Sequence, residues 1–211
     1  MLFKSSHSDH LSRREREKIY KRTEILSAAV PLFAEKGYDN TTIEDIAEKA
    51  EIGKGTLYNY FSSKEDIYWG ILEEIFTDYL EGLTQIDRNY ISFLDFIRQL
   101  TRELFGFCVE NHNAFIIITR LRTSLTRETS KLTQSMIDYQ NKVDMIFISR
   151  VKKAIENNEI NDIEPKTFFT LYRSMIFPYI YNQMFCNQKD NLDIEAESEL
   201  IVNILFNGIK K

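Results

Sequence analysis

Thr41, Thr42, Lys54, Gly55, Thr56, Tyr58, Asn59, Tyr60 and Lys64 crowd one short stretch of the chain. Their hydroxyl, amide, phenol and ammonium groups suit hydrogen bonding to phosphate oxygens and base edges rather than proton transfer. Catalysis has few other candidates. The histidines are His7, His10 and His112, none with a nucleophile or metal partner at a recognisable spacing. Cys108 and Cys186 stand in apolar helical patterns without CxxC or Cys/His spacing, and read as buried free thiols. No catalytic residue, metal site or cofactor is expected. The chemistry is binding.

The elements that must position these groups are helices. Seven glycines and three prolines are few for 211 residues, and apolar positions recur at three and four rather than two. No apolar run of about 18 residues is present, and the polar start does not resemble a signal peptide, so a cytoplasmic location is expected. Residues 1–22 are net +4 in a chain of formal net charge −5. One basic end suited to a polyanion is joined to an acidic body.

Residues 1–11 lack periodicity and are expected to be disordered. A first helix is expected over 13–36, with Ile19, Ile25, Leu26, Ala29, Val30, Leu32 and Phe33 inward, a bend at Pro31 and a left-handed stop at Gly37. Thr41 and Glu44 form a capping box for a helix over 41–50, and Ser62 with Glu65 forms another for 64–83. Between them lies a helix over 53–60 whose Leu57 faces inward with Phe61, leaving Lys54, Gly55, Thr56, Tyr58, Asn59 and Tyr60 outward. After a loop over 85–89, helices are expected over 91–110, 114–124, 127–157, 165–186 and 193–209, about nine in all.

Leu32-Phe33-Ala34-Glu35-Lys36-Gly37-Tyr38, then Thr41 to Ala47, then Gly55-Thr56-Leu57-Tyr58-Asn59-Tyr60-Phe61-Ser62-Ser63-Lys64-Glu65 resemble the DNA-binding domain of TetR-family transcriptional repressors. The resemblance covers about 60 residues, from 13 to 72. It implies an all-α protein with a three-helix helix-turn-helix domain over 1–63 and a helical effector-binding and dimerisation domain over 64–211. It assigns Thr41, Thr42, Thr56 and Lys64 to phosphates, and Lys54, Gly55, Tyr58 and Tyr60 to the major groove, with Asn59 beside them. Two positions depart from the family. Glu51 stands where glycine is usual between the second and third helices, and Gly53 replaces the usual hydroxyl cap.

One reading helix spans only a few base pairs, so a homodimer on a near-palindromic double-stranded operator is expected. The helix over 165–186 is apolar almost all round, more than one inward stripe requires. By resemblance it pairs with the helix over 193–209 as the dimer face, through Phe169, Ile176, Ile180, Leu200, Ile201, Ile204 and Leu205. Phe105, Phe107, Phe115, Tyr139, Phe147, Tyr172, Met175 and Tyr179 lie on helices that enclose the effector in the resembling family, which implies a hydrophobic or aromatic small molecule. The expected function is a ligand-responsive repressor. The alternative is an effector-independent structural or nucleoid-associated DNA-binding protein of the same fold, acting through a protein partner.

Overall fold

A computed structural model describes residues 12–89, 92–124, 134–186 and 192–207. Among these the chain is all-α, with nine α-helices and no strand: α1 Arg13–Asn40, α2 Ile43–Lys49, α3 Lys54–Tyr58, α4 Lys64–Arg88, α5 Phe93–Glu110, α6 His112–Ser124, α7 Gln134–Glu156, α8 Pro165–Tyr181 and α9 Ile194–Asn207. A π-helical turn, Asn182–Cys186, extends α8. The expectation for residues 1–11, and the beginning of the helix expected from 127, lie outside the described residues. None of the described helices is long and apolar enough to cross a membrane. Two compact units emerge, one of residues 1–78 with 111–133 and one of 79–110 with 134–211.

In the first unit α1 packs against α2 and α6. Ile25, Leu26, Ala29, Val30 and Phe33 form its buried stripe, as their spacing predicts, but Ile19 is exposed. Residues 12–20 all face solvent, so the stripe begins a turn later than expected. Pro31 lies within the helix, and the interruption falls at Gly37, whose φ of 81° and ψ of 169° only glycine adopts freely. Gly70 on α4 marks a close approach: a Cβ there would sit 3.2 Å from Leu26 Cδ2.

The hydroxyl caps of α2 and α4 both fall one residue later than the sequence reading, and of the two only α2 has the full capping box. Thr42, not Thr41, caps α2, its hydroxyl accepting from the Asp45 amide while the Asp45 carboxylate accepts from the Thr42 amide. At α4 the Ser63 hydroxyl accepts from the Asp66 amide at 3.1 Å, and the Asp66 carboxylate accepts from the Ser62 amide at 3.0 Å. α4 itself runs past the expected loop at 85–89 to Arg88, because Leu83 and Ile86 are buried and continue its apolar stripe.

In the second unit α5 lies along α9, and α7 packs on α8. Arg98 pairs with Glu199, and Arg102 with Glu195, fastening α5 to α9. The α5 amino end is met by the Glu159 carboxylate, which accepts from the Phe93 amide at 2.6 Å. Arg150 of α7 is buried, lies over the Phe96 ring, and donates to Asp87 Oδ1 at 2.5 Å and to the Asn89 carbonyl at 3.1 Å, closing the end of α4. Cys108 is buried, and desolvation pushes its thiol up to about 12, consistent with an inert thiol.

Glu51 adopts φ 56°, the left-handed angle expected at this turn. An L-residue there costs about 1–2 kcal/mol, whereas glycine gives back about 0.4–1 kcal/mol through the freer unfolded chain. Glu51→Gly is therefore expected to stabilise the protein by roughly 0.5–1 kcal/mol, read as a higher urea midpoint at unchanged m value.

Candidate nucleic-acid interface

α3 is short. Gly53 caps it without a side-chain bond, consistent with the weak cap expected, and the Leu57 amide bonds the Gly53 carbonyl at 3.1 Å. Leu57 is fully buried and Phe61 nearly so, which roots the helix in the first unit. The opposite face is open: Lys54, Gly55, Thr56, Tyr58 and Asn59 are exposed, and Tyr60 is half-buried. Tyr58 exposes 54% of its surface, so it does not pack as a core aromatic. Nothing lies within 4 Å of a Cβ built on Gly55. The Lys54 ammonium is paired with Glu44 of α2, so any other acceptor approaching it competes with that carboxylate.

Two expected phosphate contacts have other work. Thr41 is completely buried, and its hydroxyl donates to the Gly37 carbonyl at 2.7 Å with the Leu32 carbonyl at 3.2 Å. Its side chain cannot meet a phosphate, because closing the interrupted end of α1 consumes it. Lys64 turns inward as well: its ammonium donates to the Tyr38 carbonyl at 2.7 Å and the Thr41 carbonyl at 2.9 Å, 4.4 Å from the centre of the Tyr38 ring. It ties the root of α4 to the end of α1. Thr42 and Thr56 are the exposed hydroxyls of the expected set.

The same end of α1 receives Arg120 of α6, which donates to the Phe33 carbonyl at 2.9 Å. Phe33, Tyr38 and Tyr68 meet edge-on or stacked at 5.2–5.9 Å beside it. Burial pushes the Tyr68 phenol up to about 12 despite the opposing charge of Arg120. Sequence reasoning missed Arg120 and Tyr68. No local signal points to either, since their partners lie far along the chain.

The remaining expected residues divide between the units. Phe105, Phe147 and Tyr172 are buried and Phe107, Tyr139, Met175 and Tyr179 half-buried in the second unit, while Phe115 is buried in the first. Phe147 and Tyr172 are 5.7 Å apart, and Phe105 and Tyr179 6.2 Å. Of the residues expected at a dimer face, Phe169, Ile176 and Ile180 of α8 and Ile201 of α9 are buried within the subunit. Leu200 and Ile204 are exposed and Leu205 is half-buried.

A short exposed helix seated by Leu57 behind a capped partner helix, next to a basic α1, is a helix-turn-helix of the DNA-binding kind. Residues 25–69 match the family pattern described as bacterial regulatory proteins, tetR family. Those residues are a TetR-family helix-turn-helix domain. A fatty acid metabolism regulator protein of Bacillus subtilis is 26% identical over 92% of this chain and 98% of its own. A biofilm operon icaADBC HTH-type negative transcriptional regulator, IcaR of Staphylococcus aureus, is 29% identical over 68% of this chain and 89% of its own. Among solved structures, the transcriptional regulator FadR from Bacillus subtilis in complex with stearoyl-CoA superposes with a TM-score of 0.74 at 21% identity, covering 89% of this chain and 99% of that one.

Two measurements probe this framework. The Thr42 amide, then the Lys36 ammonium and the Thr42 hydroxyl, hold the Asp45 carboxyl at about 2, below its ordinary 3.8. A depressed folded pKa stabilises above the unfolded value and is lost as pH falls through the folded one. The urea midpoint should therefore drop between about pH 4 and about pH 2, and drop less in Asp45→Asn. Lys64→Met leaves the Tyr38 and Thr41 carbonyls without their cation and should cost roughly 1–2 kcal/mol of stability. A stability equal to wild type would show that these bonds contribute little.

Proposed function

We propose that this chain is a dimeric repressor that holds a near-palindromic operator through α3 and releases it when a long-chain acyl compound binds the second unit. The observation that carries the DNA half is the open face of α3, with Lys54, Gly55, Thr56, Tyr58 and Asn59 presented outward from a buried Leu57. Lys54 and Tyr58 supply donors for base edges and Gly55 permits close approach, while Thr42 and Thr56 suit phosphates. On this reading Lys64 acts as a positioning residue for α4 and α3. Residues 1–63 form the reading domain and 64–211 the effector and dimer domain, at work in the cytoplasm.

Support for the effector comes from the relatives, one named as a fatty acid metabolism regulator and one solved with stearoyl-CoA. The aromatic interior of the second unit suits an apolar body. For the dimer, the exposed apolar residues Leu171 and Tyr181 of α8 and Leu200 and Ile204 of α9 offer a face for a second copy. α4 contributes to both units, so an acyl ligand that prefers one setting of α4 shifts the spacing of the two reading helices by its differential affinity.

The test maps bound genomic fragments and then titrates stearoyl-CoA against the best site by fluorescence anisotropy at fixed salt. Few near-palindromic sites and release by stearoyl-CoA are expected. Tyr58→Ala should lose at least about tenfold in specific affinity with an unchanged salt slope, since phosphate contacts stay intact. Hundreds of unrelated sites with no ligand response would overturn the proposal in favour of a structural DNA-binding role.

A further inference from the structure

α1 is longer than its packing requires. Its buried stripe begins at Ile25, yet the helix starts at Arg13, and every residue from Ser12 to Tyr20 faces solvent. Two exposed turns that bury nothing are not held by helix propensity alone. A full capping box forms them: the Ser12 hydroxyl accepts from the Glu15 amide at 3.3 Å, and the Glu15 carboxylate accepts from the Ser12 amide at 2.8 Å. The projection is a shaped surface before any partner arrives.

Its foot is fixed beside the end of α3. The Arg22 guanidinium carbon lies 5.0 Å from the centre of the Phe61 ring, three residues beyond Tyr58, and the same guanidinium donates to Glu74 Oε1 at 3.4 Å. Gly70 leaves room for it, since a Cβ there would sit 3.0 Å from an Arg22 terminal nitrogen. The exposed turns therefore start next to the segment that carries the outward side chains.

Their charge is lopsided. Residues 13–21 hold five cations, Arg13, Arg14, Arg16, Lys18 and Lys21, against Glu15 and Glu17. Both acids are engaged, Glu15 by Ser12 and Glu17 by Arg13 at 2.8 Å, whereas Arg14, Arg16 and Lys18 make no hydrogen bond or ion pair with any described residue. Arg14, Lys18 and Lys21 stand at i, i+4 and i+7, one row with no acid in it. Lys21 pairs with Glu24 at 2.7 Å, a part-exposed pair that a phosphate can displace. Like charges at this spacing work against a helix, and a polyanion answers them. The row spans about 10 Å, the axial rise of about three phosphates on one strand of duplex DNA.

We propose that Arg14, Lys18 and Lys21 form a second DNA-contact surface, which holds the phosphate backbone flanking the sequence that α3 reads and has no base preference of its own. This rests on the reading of α3 as the base-reading helix, and it adds a contact that lengthens the footprint of each subunit beyond its half-site.

Fluorescence anisotropy of the full chain, between about 50 and about 200 mM salt, tests it on three duplexes: the best mapped site with its natural flanks, the same site trimmed of them, and a random sequence of the longer length. Wild type should bind the flanked site about tenfold tighter than the trimmed one at the lower salt. The triple variant Arg14→Gln, Lys18→Gln, Lys21→Gln should cut that advantage below about threefold and make the slope of log affinity on log salt shallower by about two or more, with the preference for the site over random sequence kept. Arg14→Lys with Lys21→Arg, which keeps the charges, should behave as wild type. An unchanged urea midpoint certifies the fold of both variants. A flank advantage and salt slope that survive in the triple variant, an equal loss on the trimmed duplex, or a loss that depends on the base composition of the flanks overturns the proposal. Wild-type binding that does not distinguish the mapped site from random sequence overturns the α3 reading instead, and the salt slopes on the random duplex still decide whether these cations meet phosphates.

Discussion

The first unit depends on how the interrupted carboxyl end of α1 is closed. A helix leaves its last carbonyls without intrahelical donors and carries a partial negative charge there. α1 has no basic residue in its own last turn. The donors come from elsewhere: the Thr41 hydroxyl to Gly37 and Leu32, the Arg120 guanidinium to Phe33, the Lys64 ammonium to Tyr38 and to Thr41 itself. One point on α1 thereby fixes the entry to α2, the start of α4 and the flank of α6. Charge-assisted bonds to carbonyls are stronger than neutral ones and are aimed, which sheer apolar packing is not.

That closure also explains where sequence reasoning slipped by one residue. Thr-Thr-Ile-Glu-Asp and Ser-Ser-Lys-Glu-Asp each offer two hydroxyls and two acids, so each admits two registers of the same capping box. Local chemistry cannot choose between them. The broken end of α1 draws in Thr41, leaving Thr42 and Asp45 to cap α2. Legible from the start were the helix order, the inward Leu57 and Phe61, the special angles at Gly37 and Glu51, and the outward residues of α3, because each follows from spacing or from backbone sterics within a few residues. Not legible were Arg120 on Phe33 and Arg150 on the end of α4, whose partners lie far along the chain.

α8 shows a different limit. An all-round apolar helix announces more than one buried face, but hydropathy does not say which face meets its own core and which a second copy. Phe169, Ile176 and Ile180 pack inside, and the exposed residues of the same helix include Leu171 and Tyr181. The polar exception within that helix is better marked. Arg173 is the only charged residue between Lys166 and Cys186, and it is half-buried with its guanidinium over the Phe169 ring.

α3 itself carries little stability. Five residues are too few to hold a helix in water, and Gly53 adds no side-chain cap. α3 exists because Leu57 and Phe61 are buried, and because the turns on either side of it are pinned. Behind it stand the strained Glu51 and the capped α2. Ahead stand Ser63, Asp66 and the Lys64 tie. The position of the outward side chains of α3 is therefore set by that frame rather than by α3. On the proposed reading, a ligand acts on α3 through this frame at the root of α4 rather than by touching α3 itself.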